Sequence, residues 1–136
     1  MRKKKAIRSN LPFVQIYRWV MNSEAWKDLS PQARSMYLEL KLLYNGTNNG
    51  RIGFGAREAA TCIGMSTSSA NRFLNELESH GFIARETASS FGQKRLTIEW
   101  RLTESRNDVT GDLATKDFMR WSEAEKTPVS NVKTPV

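Results

Sequence analysis

Two helical patterns separated by only three residues constrain this chain more than anything else in it. In the first, which begins near Gly55, Ala56, Ala59, Ala60 and Ile63 share an inner face. In the second, which runs from Ser66 to about His80, Ala70, Phe73, Leu74 and Leu77 form an apolar stripe. Gly64-Met65-Ser66 lies between them, with a glycine suited to ending one helix and a serine suited to capping the next. Helices joined this tightly must cross at close range, and the small residues Ala60 and Ala70 permit the approach.

The flanking segments extend this unit. Ser30-Pro31 is a strong helix start, after which Ala33, Met36, Tyr37, Leu40, Leu43 and Tyr44 recur every three or four residues until Asn45-Gly46. Asn49-Gly50 signals a turn, and Arg51 to Phe54 alternates as a very short strand. Beyond the stop at Gly81, Phe82 to Ala88 reads as a strand, Ser89 to Gln93 as a tip and Lys94 to Leu102 as the return. In the return, Leu96, Ile98, Trp100 and Leu102 face the core. Upstream, residues 11–29 form a packed leader with one short helix near Ser23 to Leu29, and Trp19, Trp26 and Trp100 are expected in the core. The fold class expected is mainly α with a small β-wing: a three-helix core plus short strand and β-hairpin.

Length and composition fit one domain with extensions. Among 136 residues, 39% are hydrophobic and 26% charged, enough for a single core with a wet surface. The expected division is a basic arm over residues 1–10, the domain with its leader over 11–105, and a largely disordered polar tail over 106–136. In that tail Leu113, Ala114, Phe118 and Trp121 have the spacing of a short amphipathic helix, and Lys-Thr-Pro-Val occurs twice, at Lys126 and Lys133.

The net charge of +7 favours a polyanionic partner, and Arg2, Lys3, Lys4, Lys5 and Arg8 place +5 of it in the first ten residues. A lone Cys62, expected as a buried filler, and a lone His80, expected as a helix-end cap, offer neither a disulfide nor a zinc ligand set. No apolar run reaches the ~18 residues of a membrane span, and no apolar stretch follows the basic start as in a signal peptide. The expected setting is cytoplasmic and nucleoid-associated, with no cofactor and no metal. No paired carboxylates, nucleophile with base or phosphate loop can be assembled, so an enzyme is not expected.

The segment from Gly64 to Ile83, with its hydroxyl-rich start Ser66-Thr67-Ser68-Ser69, its Leu74-Asn75-Glu76-Leu77 stripe and its ending Gly81-Phe82-Ile83, resembles the recognition segment of GntR- and MarR-type bacterial regulators. The likeness spans roughly residues 31–102. Trp26 to Ser30 and Asn48 to Ile52 resemble the equivalent stretches of proteobacterial helix-turn-helix proteins. What the resemblance implies is a winged helix-turn-helix that binds double-stranded DNA, with Thr67, Ser68, Asn71 and Arg72 at the family's reading positions.

The residues themselves add to this. Ser68, Asn71, Arg72, Asn75 and Ser79 fall opposite the apolar stripe, and Asn and Arg can pair bidentately with adenine and guanine. Ser66 to Ser69, including Ser69, suit phosphate at the helix start. Arg57, Gln93, Lys94, Arg95 and the arm Arg2, Lys3, Lys4 and Lys5 are candidates for charge. The chain departs from the family at Thr67 and Asn71, where arginine is common, so direct readout is expected to be thinner.

A sequence-specific transcriptional regulator is the first expectation. An origin-binding, replication or excision factor of a plasmid or mobile element is the second. A protein-interaction winged helix using Phe118, Met119 and Trp121 is the third; for Trp121, which follows Phe118 and Met119, packing back on the domain, joining two subunits and docking a partner are equal expectations. A homodimer on paired half-sites is a further partner expectation. Against base reading by Arg72 stands a surface pair with Glu76, four residues on.

Overall fold

The computed structural model describes residues 11–86 and 98–125. In chain order the elements are α1 (Arg18–Met21), α2 (Glu24–Asp28), α3 (Pro31–Leu43), β1 (Ile52–Gly53), α4 (Ala56–Ile63), α5 (Thr67–Ser79), β2 (Ile83–Glu86) and β3 (Glu99–Leu102). Two 3-10 turns follow, Asp117–Arg120 and Glu123–Glu125. The protein is thus helix-rich with one small antiparallel sheet in the order β1-β3-β2, in which Ile52 pairs with Trp100 and Ile83 with Leu102.

Local chemistry sets the helix ends. The hydroxyls of Ser23, Ser30 and Ser66 accept from the N–H groups of Trp26, Ala33 and Ser69, each 3.2 Å away, at the starts of α2, α3 and α5. Gly64 ends α4 in the left-handed region at φ 67°, while Met65 N–H reaches back to the Ala60 carbonyl. After α5 the chain turns at Gly81, where φ is 88° and Phe82 N–H bonds the Leu77 carbonyl. A Cβ on Gly81 would lie 2.7 Å from Phe118 N, so this position needs glycine for space as well as for conformation.

The core fills the space between helices and sheet. Ala33, Met36, Tyr37 and Leu40 of α3, Ala59 of α4 and Ala70, Leu74 and Leu77 of α5 are buried against Phe82, Trp100 and Leu102. Trp26, Tyr37 and Phe82 meet edge to face at 5.6–5.7 Å, the arrangement that ring quadrupoles favour. Trp100 Nε1 donates to the Phe54 carbonyl at 2.8 Å, which satisfies the one polar atom of that buried ring. Asn49 is fully buried. Its amide donates to the carbonyls of Leu102, Ser105 and Arg106, and its oxygen accepts from Leu102 N–H. The turn ahead of β1 is thereby pinned to the end of β3.

Four expectations need correction. Trp19 is not in the core: it is 38% exposed, because the leader lies over the surface and only Val20 of α1 is buried. Cys62 is exposed on the outer face of α4 rather than a buried filler. Leu43, on the last turn of α3, is also exposed.

The fourth concerns residues 106–125, which belong to the folded body and not to a disordered tail. Phe118 is 1% exposed and stacks on Phe82 at 4.7 Å, while Lys116 N–H bonds the Thr103 carbonyl. Two aromatic rings supply the area that the polar composition concealed. The helical spacing in this stretch does not become an amphipathic helix, since positive φ at Gly111 and Lys116 interrupts it and leaves Leu113 exposed. The wing tip expected at Ser89 to Gln93 and the Lys-Thr-Pro-Val repeats lie outside the described residues.

Candidate nucleic-acid interface

The outward face of α5 is positioned from three sides. At its start, Gly64 and the Ser66 cap hold it across α4, where Ala60 and Ala70 are buried at the crossing. In its last turn, the Glu76 carboxylate accepts from Ser30 N–H and from the Ser30 hydroxyl, both at 2.8 Å. A carboxylate at the first turn of α3 also faces the positive end of that helix.

At the C-terminal end of α5, His80 Nδ1 contacts the Glu76 carbonyl at 2.9 Å and Nε2 contacts Asp28 at 2.8 Å. Its ring stacks on Trp121 at 4.6 Å. The expected capping role of His80 is therefore joined by a link to α2 and to the C-terminal segment, which the sequence pattern did not indicate. Serine and glutamate 46 residues apart give no local signal either.

With Glu76 engaged at Ser30 and Glu78 paired with Arg85 at 3.2 Å, the carboxylates of α5 are both committed elsewhere. Thr67, Ser68, Asn71, Arg72, Asn75 and Ser79 are all exposed, and Ser69 is half-buried. No described carboxylate forms an ion pair with Arg72, whose guanidinium lies 5.2 Å from the Phe73 ring. The surface pair with Glu76 does not form. One cation, two amides and several hydroxyls on a strip free of carboxylate make a surface of hydrogen-bond donors and acceptors, suited to a polar and acidic ligand.

Arg57 is exposed in the first turn of α4. Gln93, Lys94, Arg95, Arg2, Lys3, Lys4 and Lys5 lie outside the described residues. The charge of the lysines and arginines among them matters nonetheless. The described residues hold twelve Lys and Arg against all fourteen Asp and Glu, a balance of −2, so the excess of positive charge is contributed by residues 1–10, 87–97 and 126–136.

The alternative contact set is reduced by the fold: Phe118 is buried and Trp121 is stacked on His80, which leaves Met119 as its one exposed member. Partial desolvation and then the nearby Glu39 and Glu58 carboxylates raise the pKa of the Cys62 thiol, which disfavours its thiolate form. Among the described residues no helix is long and apolar enough to cross a membrane. No protein-family model, curated protein or solved structure matches the chain.

Proposed function

We propose that this chain is a sequence-specific double-stranded DNA-binding protein of winged helix-turn-helix type, with α5 as the helix that enters the major groove and the β2-β3 hairpin as the wing. The observation that carries this reading is the strip along α5. It has exposed Asn71, Arg72 and Asn75 at hydrogen-bonding positions, both of its carboxylates engaged elsewhere, and an axis held toward its C-terminal end by half-buried partners. Thirteen residues give α5 about 20 Å of length, enough to lie along a groove about 12 Å wide.

The charge balance divides the work. A described body at −2 contributes little non-specific affinity, so phosphate neutralisation falls to Lys94, Arg95 and the arm while α5 supplies discrimination. Regulation of transcription is the job we assign to such binding, and no catalytic role is proposed.

Selection of bound sites from random duplex DNA at near-physiological salt tests the proposal. An enriched motif is the expected result, and retention of duplex without any motif rules out base reading by α5.

A further inference from the structure

Residues 11–21 carry an aromatic surface of a different character from α5. Phe82 and Phe118, both buried, begin a stack that continues through Trp19 at 5.7 Å and Tyr17 at 5.8 Å, with neighbouring rings within 18° of parallel. The column climbs from the core to solvent: Trp19 is 38% and Tyr17 42% exposed, and Phe13 nearby is 77% exposed. Phe13 and Tyr17, together with Leu42 and Tyr44 at the end of α3, line a groove of about 760 Å³. The Glu104 carboxylate at this groove is already neutralised by Lys41 at 2.8 Å and bonded by Tyr37.

Cations accompany the rings. Lys116 Nζ sits 5.1 Å from the Trp19 ring centre, Arg18 is exposed between Tyr17 and Trp19, and the first 23 residues contain six Lys and Arg with no Asp or Glu. The cations described on this face, Arg18 and Lys116, favour an anionic partner over a second copy of the chain. A polyanion with exposed flat apolar groups meets both features at once. A duplex hides its bases, whereas an unpaired strand offers them for stacking while its phosphates meet the cations.

We propose that the leader, through Phe13 and Tyr17 with Arg18 and Lys116 beside them, is a second nucleic-acid site that takes a single strand by base stacking. It is independent of the duplex site on α5, and it equips the protein to hold a locally opened region next to its bound duplex.

Fluorescence anisotropy with the full chain tests this, using an oligothymidylate of about 20 nucleotides and a duplex of similar length as probes. Phe13→Ala with Tyr17→Ala is expected to weaken oligothymidylate binding by about tenfold or more and duplex binding by less than about twofold. Asn71→Ala with Arg72→Ala is expected to leave the oligothymidylate affinity intact, so failure of the duplex reading is told apart from failure of this one. Phe13→Tyr with Tyr17→Phe keeps both rings and is expected to bind as the parent does, which separates loss of stacking from loss of fold. Unchanged oligothymidylate affinity in the Ala variant overturns the proposal. So does a concentration-dependent dimer, seen in sedimentation velocity, that the same variant abolishes.

Discussion

The carboxylate of Glu76, in the last turn of α5, closes on Ser30 at the start of α3, accepting from its backbone N–H and its hydroxyl at 2.8 Å each. One side chain therefore fixes how α5 is oriented on the body, adds a negative charge at the positive end of α3, and is withdrawn from Arg72. Glu76→Ala leaves the Ser30 amide without its partner and is expected to cost about 1 to 3 kcal/mol, measured by urea unfolding. A change within error would show that water replaces the carboxylate at no cost.

The C-terminal segment is expected to matter as much as a core element. Phe118→Ala removes a buried ring that stacks on Phe82 and should cost about 3 to 5 kcal/mol. Gly81→Ala should also destabilise, since its Cβ would strike Phe118 N and its φ is positive. Thermal melts of both variants against truncation after residue 105 give the check: if the truncated chain melts with the parent, the segment adds nothing to stability.

Much of this arrangement was legible in the sequence and some of it was not, for a common reason. Caps, stops and stripes are written in residues within four positions of each other, so Ser30, Ser66, Gly64, Gly81 and the Ala70-Leu74-Leu77 stripe announce their elements. The exposed polar strip of α5 follows from the same periodicity. Contacts that depend on distant segments are silent locally. Nothing near Glu76 points to Ser30, and nothing near His80 points to Asp28 or Trp121. Trp19 lies at the surface, against expectation, and Phe118 takes one of the places left open for it, for the same cause. Burial of an aromatic ring is decided by which remote surface it meets, and the polar residues around Phe118 masked its apolar contact while the apolar residues around Trp19 exaggerated it.

Alkaline pH should weaken the fold through Tyr37. Burial, and then the Glu104 carboxylate beside it, raise its pKa well above the ordinary 10.0. Because the folded-state value is the higher one, this contribution is fully present below pH 10.0 and is lost as pH rises through the folded value, where the native state resists giving up the proton. Urea midpoints are expected to fall above pH 10.0 more steeply in the parent than in Tyr37→Phe. Parallel curves for the two would exclude Tyr37 as the source.

Removing residues 2–5 takes away Arg2, Lys3, Lys4 and Lys5. If these neutralise phosphates, the slope of log affinity against log salt should fall by roughly 2 to 4, and affinity should drop alike on all duplex sequences. An unchanged slope would remove the arm from the contact set and leave Lys94 and Arg95 as the candidate electrostatic anchor.

The most direct test of the central claim is the affinity of Arg72→Ala for a selected duplex and for its scrambled counterpart, measured side by side at one salt concentration. Base reading by α5 predicts a loss of about 1 to 3 kcal/mol on the selected site and little change on the scrambled one. Equal losses on both would contradict it, and would make Arg72 one more phosphate contact on a helix that does not read sequence.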